Sequence, residues 1–297
     1  MNWLTAIKQE QLNLWVERAK QQAKIGKLPS YIPILKQVEP DELAVCIISL
    51  NRQILLVGES DRTFPLMSVI KPFLLLYLLS HLGSQTVFKR VGKKPSHYPF
   101  NSLTQLLSDR GFPRNPMINS GAIALASLLP GKDALARCEN LCFWLNNYAN
   151  SQLFLSQPML DSVCSLPNYQ NQALAEEMAV NGYLENATIA LDTYNHICCL
   201  SGTIIDLARL GLLLLDSSLV CQTVREIMAT CGLYEASEQF FKRVGFPTKS
   251  GVSGAVLSIV PNRGAIAIYS PPLNEQGNSV AGLFLIEKIN WVMLFFL

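Results

Sequence analysis

Phe64-Pro-Leu-Met-Ser68-Val-Ile-Lys71-Pro72-Phe73-Leu-Leu-Leu-Tyr-Leu-Leu79 joins a Ser-x-x-Lys pair to a long apolar run. Residues three apart are neighbours on a helix, so Ser68 and Lys71 share a face. Proline is tolerated only near a helix start, where backbone N–H groups have no intrahelical acceptor, so Pro72 places Ser68 near an N-terminus. There the helix dipole favours developing negative charge, and a lysine that loses its proton through desolvation can accept the proton of the serine. The pair reads as a nucleophile, Ser68, with its own base, Lys71. The run from Pro72 to Leu79 would anchor the helix in a core. Taken alone the motif is weak, because an ordinary buried helix carries two polar residues at this spacing by chance.

Lys249-Ser250-Gly251 lies about 180 residues downstream and opens a strand-like stretch that continues through Val256-Leu-Ser-Ile-Val260. Ser-x-x-Lys followed late by Lys-[Ser/Thr]-Gly is similar to the arrangement of penicillin-recognising serine enzymes. In such sites the second lysine and the small residues after it line the cleft on a strand, and the glycine lets substrate approach the backbone. Three further segments narrow the match: Asn115-Pro-Met-Ile-Asn119-Ser-Gly-Ala-Ile123, Cys231-Gly-Leu-Tyr234 leading to Val244-Gly-Phe-Pro-Thr-Lys-Ser-Gly-Val252, and Ser270-Pro-Pro-Leu-Asn-Glu-Gln-Gly-Asn-Ser-Val280. Together, in this order and from Tyr31-Ile-Pro33 to about Ile286, they closely resemble the serine-dependent glutaminases.

That resemblance implies hydrolysis of L-glutamine to L-glutamate and ammonia. It implies an α+β fold like that of β-lactamases and transpeptidases, an antiparallel sheet flanked by helices with an inserted helical lobe. Ser68 matches the family's nucleophile and Lys71 its general base, and Tyr234 matches a position that serves both catalysis and substrate contact. Tyr31, Asn119, Asn171 in Asn171-Gln-Ala-Leu-Ala175, Tyr194 in Asp192-Thr-Tyr194, and Val252 match substrate-contacting positions. The backbone N–H of Val252 would serve the oxyanion. The resemblance further suggests a homodimer or homotetramer. The residue types suit the chemistry: an amide carbonyl needs a nucleophile, a base and donors aimed at the developing oxyanion. Carboxamides can donate to a carboxylate and accept from an ammonium, and tyrosines offer a neutral hydroxyl on a rigid body.

Two segments depart from the family pattern. Cys164 stands seven residues before Asn171, where a glutamate that helps hold the substrate's head group is expected. A thiol supplies no charge unless ionised, and its reference pKa is about 8.5. Asp161 would share a helical face with Cys164 and is a candidate substitute. The stretch between Tyr194 and Tyr234 is shorter than the family shows and lacks its Gly-rich, hairpin-like piece. Both departures bear on substrate binding and leave the nucleophile and base intact.

At 297 residues with 49% hydrophobic content, the chain can bury a large core. We expect a single domain over 1–297, with a sheet part at about 30–75 and 235–297 and a helical lobe at about 76–234. A formal charge of +2 argues for neither a nucleic acid nor an acidic surface as partner. The eight cysteines sit in apolar stretches, and Met1-Asn-Trp-Leu-Thr-Ala-Ile-Lys8 lacks the marks of an export signal, so reduced thiols and a cytoplasmic location are expected. His81, His97 and His196 are isolated, so neither a metal nor a cofactor is expected. The longest apolar stretches fall short of the roughly 18 residues of a membrane span. Trp291 to Leu297 is a run of seven apolar residues that could pack on the body, form an oligomer contact or touch a membrane, the first two being favoured.

Along the chain, residues 2–25 carry the spacing of an amphipathic helix. Ala44–Leu50 with Gln53–Val57, and Val256–Val260 with Gly264–Tyr269, read as hairpins. The segments between are mainly helical, and 278–290 reads as a terminal helix. Two rivals to the amidohydrolase stand: a penicillin-recognising hydrolase, disfavoured by the missing export signal, and a weakened or non-catalytic binding member of the same fold.

Overall fold

In the computed structural model, which describes residues 3–294, the apolar runs at opposite ends of the chain find each other. Ala44–Ser49 (β1) and Ile54–Gly58 (β2) form the first hairpin, after a 3₁₀ turn at Trp3–Ala6 and helix α1 (Gln9–Ala23). The proposed single opening helix is therefore two pieces, broken before Lys8. A short strand, β3 (Phe64–Pro65), leads through a 3₁₀ turn at Met67–Ile70 into α2 (Lys71–Val87). Helices α3 (Leu103–Ser108), α4 (Asn119–Ala126) and α5 (Ala134–Ala149), strand β4 (Phe154–Leu155), and helices α6 (Gln157–Cys164), α7 (Tyr169–Val180) and α8 (Ala187–Cys198) follow. Next come β5 (Leu200–Gly202), α9 (Ile204–Leu212), α10 (Leu219–Cys231) and α11 (Ser237–Val244). The chain returns through β6 (Thr248–Ser250), β7 (Ala255–Val260) and β8 (Gly264–Tyr269), and α12 (Val280–Leu294) closes it.

The main sheet runs β2-β1-β8-β7-β6 and every pairing in it is antiparallel. Ala44 faces Tyr269 and Ser49 faces Gly264, so β1 is zipped along its length to β8. Antiparallel strands usually alternate apolar and polar residues because one face is wet, yet β1, β7 and β8 are buried at every position. The reason is that both faces are covered. Val45, Ile47, Val256, Ile266 and Ile268 pack with Leu12 and Trp15 of α1 and Leu285 and Ile289 of α12. Cys46, Ile48, Leu257, Ala265 and Ala267 join the larger core under α2, α4, α8 and α9. Gly211 lets α9 settle on the sheet, since a Cβ there would stand 2.5 Å from that of Ala265.

A second, three-stranded sheet, β3-β5-β4, was not legible in sequence, because its strands are only two or three residues long. It ties the turn before Ser68 to the middle of the chain: Phe64 pairs with Gly202 and Pro65 with Ser201. Helix α2 with its leading turn, Met67–Val87, is 21 residues long and apolar enough to cross a membrane by length and composition. The apolar run from Pro72 to Leu79 is only its leucine-rich part. It is a core helix, buried from Lys71 to Leu79, and Gly83 at φ +74° breaks its regular geometry near the end. Of the apolar terminus, Trp291 is exposed, and residues 295–297, on which that expectation largely rests, lie outside the described residues.

Candidate active site

The leading turn of α2 places Ser68 where the sequence suggests, with one refinement. Ser68 lies in the 3₁₀ turn Met67–Ile70, and the α-helix proper starts at Lys71 with Pro72 in its first turn. In 3₁₀ geometry residues i and i+3 eclipse, which sets Ser68 and Lys71 directly above one another. Met67 is held at φ +48°, a costly conformation for a bulky residue, immediately before the serine. A Cβ on Gly251 would stand 2.7 Å from the Leu66 carbonyl and 3.4 Å from the Ser68 amide nitrogen. Only glycine allows the end of β6 to close so tightly on the serine turn. Among the described residues, the Ser68 and Val252 amides make no backbone hydrogen bond, so two unspent donors sit beside the serine.

Lys71 is fully buried. Its Nζ donates to Asn119 Oδ1 at 2.8 Å and to the Met117 carbonyl at 3.2 Å. It lies 5.5 Å from the centre of the Tyr194 ring. Both acceptors are neutral, and no hydrogen bond joins Nζ to Ser68 Oγ. Burial without a carboxylate pushes the ammonium down to about 7, against a small opposing pull from the Cys198 thiol. Asn119, the first residue of α4, is the hub: its Oδ1 also accepts from the Tyr194 hydroxyl at 3.0 Å, and its Nδ2 donates to Asn171 Oδ1 at 2.9 Å. Four helices thus meet through side chains at one asparagine.

Lys249 is the second buried lysine. Its Nζ donates to the carbonyls of Gly232 at 2.9 Å and Ser250 at 2.6 Å, and lies 4.3 Å from the centre of the Tyr234 ring. Burial, and then repulsion from Lys71, push it well below the usual lysine range. Tyr234 stands at φ +58°, its ring tilted against that of Phe100 with ring centres 4.8 Å apart. Burial pushes its phenol up to about 12, opposed by the neighbouring Ser68 and Ser250 hydroxyls. Those contacts are too loose to count as hydrogen bonds, and the Tyr234 hydroxyl has no partner among the described residues.

Tyr31, Ser68, Asn119, Asn171, Tyr194 and Val252 line one cavity of about 420 Å³, although they come from six separate segments. Lys71 lies beneath its floor. Tyr234 is not part of its lining: the hydroxyl lies behind it, beside the Ser68 hydroxyl, and the residue also borders a separate recess of about 250 Å³ with His97 and Lys242. Cys198, by sequence an ordinary buried thiol, also lines the cavity, one helical turn after Tyr194. The i, i+4 spacing on α8 was the available signal. No acidic or basic side chain lines the cavity.

Cys164 is the last residue of α6; it is exposed and outside the cavity, and Asp161 turns away to accept from Gln157 at 2.7 Å. The cavity wall there is the loop after α6, through Leu166, Pro167 and Asn168. Neither residue thus takes the place of the expected head-group carboxylate. Cys164→Glu and Asp161→Ala are each expected to leave KM for the amino-acid substrate within about twofold, since an exposed side chain makes at most a weak, screened contribution. A tenfold change in either, measured by initial rates, would place that side chain against the substrate.

A serine and a buried lysine one turn apart at the start of a core helix, closed by Lys-Ser-Gly on the edge of an antiparallel sheet, define a serine hydrolase of the β-lactamase-like fold. The comparisons with known proteins sharpen this. The glutaminase family model matches residues 26–294. A glutaminase of Synechocystis sp. is 52% identical over 289 residues, covering 95% of this chain and 88% of that protein. Glutaminase 2 of Escherichia coli K12 is 33% identical, with 89% and 90% covered. Among solved structures, a probable glutaminase superposes with TM-score 0.88 at 31% identity over 97% of this chain and 98% of that one. The probable glutaminase of Bacillus subtilis in complex with 6-diazo-5-oxo-L-norleucine superposes with TM-score 0.85 at 27% identity, over 95% and 94%. The chain belongs to the glutaminase family.

Proposed function

We propose that the chain performs its family's reaction, hydrolysis of L-glutamine to L-glutamate and ammonia, through an acyl-enzyme on Ser68 with Lys71 as general base. One observation carries the mechanism: a fully buried lysine stands three residues after a cavity-lining serine, bonded only to neutral oxygens. Such an amine is free to give up its proton near neutral pH. Neutral Lys71 takes the Ser68 proton as Oγ attacks the side-chain carbonyl carbon. The carbonyl oxygen becomes an anion stabilised by the Val252 and Ser68 amides, neither of which is spent on a backbone partner. The Tyr234 hydroxyl, without a partner and beside Ser68, passes a proton to the departing nitrogen. Ammonia leaves, and water hydrolyses the ester with the proton transfers reversed.

The remaining cavity residues hold the head group. With no charged side chain in the wall, the substrate's ammonium and carboxylate meet the Asn119 and Asn171 carboxamides and the Tyr31 and Tyr194 hydroxyls. Both functions of a carboxamide are used, one accepting and one donating. Purified protein incubated separately with glutamine, asparagine and nitrocefin tests the reading: ammonia from glutamine alone is expected, and ring opening of nitrocefin without ammonia release would point to a penicillin-recognising hydrolase.

The depressed Lys71 supplies a pH dependence. The ammonium form predominates below about 7 and cannot act as base, so kcat/KM should climb about tenfold per pH unit on the acid side and level off above about 7. A rate that is flat between pH 5 and 8 would show that Lys71 does not lose its proton in the reaction.

The same reading places the protein in the cytoplasm, as a homodimer or homotetramer. The eight cysteines are all unpaired in the structure, six of them buried. Titration of the denatured, unreduced protein with a thiol reagent is expected to find most of them reactive. A count near zero would refute a reducing compartment.

A further inference from the structure

A groove of about 920 Å³, larger than the cavity itself, adjoins the site. Tyr31, Phe100 and Val252 line both spaces. Val252 carries the amide assigned to the oxyanion, and the Phe100 ring packs at a tilt against Tyr234, the residue assigned to the departing nitrogen. Of the head-group residues, Asn119, Asn171 and Tyr194 line only the cavity, and Tyr31 stands at the boundary of the two spaces. A substrate seated with its head group on those residues and its carbonyl at Ser68 therefore directs its leaving nitrogen toward the groove. Ammonia needs no space of this size: a water-sized molecule takes about 30 Å³.

The chemistry of the groove walls is specific enough to name an occupant. Leu28 and Gln276 are part of its lining, and Glu235 and Glu275 contribute two carboxylates against the single ammonium of Lys27. Such a surface favours a cationic or polar group of several atoms. We propose that the groove is a subsite for the amine portion of N-substituted γ-glutamyl amides, so that the enzyme cleaves γ-glutamyl conjugates of primary amines, cationic ones preferred, as well as glutamine. This inference rests on the Ser68 acyl-enzyme reading given above. The step balances in the same way. The bond from Ser68 Oγ to the carbonyl carbon forms, the carbon–nitrogen bond breaks, the serine proton passes by way of Lys71 and Tyr234 to the amine, and water then hydrolyses the ester to glutamate. No oxidant or further reactant is required.

The test compares kcat/KM for L-glutamine, γ-glutamyl-propylamide and γ-glutamyl-(2-aminoethyl)amide, with amine release followed by chromatography. The wild-type enzyme is expected to cleave both amides within about tenfold of glutamine, with the cationic amide favoured about fivefold over the neutral one. Leu28→Trp and, as an independent exposed position, Gln276→Trp narrow the groove. Each should lower the substituted amides about tenfold while leaving glutamine within about twofold. Glu275→Gln should remove most of the preference for the cationic amide. An enzyme that turns over glutamine but neither amide overturns the proposal, as does cleavage of the amides that is indifferent to all three substitutions. Failure of glutamine turnover itself, or its persistence in Ser68→Ala, sinks the acyl-enzyme reading instead, so the two failures are distinguishable.

Discussion

Ser68→Ala and Lys71→Ala are each expected to lower kcat by about 10³-fold or more, because a serine attacks an amide at neutral pH only when a base removes its proton. The double variant should be about as slow as either single one. Both residues serve one proton transfer, so once either is absent the other has nothing left to assist. The structure adds a way to separate lost chemistry from lost folding. Ser68 lines the cavity with an unshared hydroxyl, so its truncation removes no internal hydrogen bond and should leave thermal unfolding nearly unchanged. Lys71 is fully buried between Asn119 and Met117, and its truncation opens a void and takes a donor from both the Asn119 carboxamide and the Met117 carbonyl. Lys71→Met, which fills the space without the amine, should be as inactive as Lys71→Ala yet fold more stably. Steady-state ammonia release together with a melting curve checks both statements. A well-folded Lys71→Met enzyme that keeps most of its kcat would remove Lys71 from the mechanism.

Asn119→Ala is the next largest expected effect. One side chain accepts from Lys71 and from Tyr194 and donates to Asn171. Its loss leaves a buried ammonium with the Met117 carbonyl as its one remaining acceptor, and a hydrogen bond to a charged group is worth about 1.5–3 kcal/mol. At about 1.4 kcal/mol per factor of ten, kcat/KM should fall about 100-fold, given that substrate contacts are lost as well. The pH profile provides a readout that simple damage would not reproduce. Asn119 stabilises the charged form of Lys71, so Asn119→Ala should move the acid limb below about 7, whereas Asn119→Asp, placing a carboxylate there, should move it above. A loss under fivefold with an unmoved limb would show that the hub is structural only.

The reach of the sequence differs between parts of the molecule. Both hairpins, the terminal helix and the helix behind Ser68 were legible because their signals are local: apolar runs of strand length around turn residues, and a proline that can stand only in a first turn. The β3-β5-β4 sheet was not, because pairs of residues such as Phe64-Pro65 and Phe154-Leu155 have no periodicity to detect. The fate of Cys164 was equally out of reach. Counting seven residues back from Asn171 aligns it with a head-group position, but where that thiol points depends on α6 ending at Cys164 and on the course of the loop that follows. Cys198 shows the converse: it lies one turn beyond a named site residue, yet only folding decides whether that face of α8 meets a core or a cavity.

The order of motifs along the chain, Ser-x-x-Lys early and Lys-Ser-Gly late, determined the class of fold and marked Ser68 as the candidate nucleophile, since covalent order and residue chemistry are properties of the chain itself. The tertiary structure alone decided the electrostatics. Burial holds the Lys71 ammonium down to about 7 because folding removes its water and offers only neutral acceptors, a balance set by residues 46 and 48 positions away in the chain. The uncharged wall of the cavity and the groove beyond it are likewise decided by which segments converge, and no local stretch of sequence records that convergence.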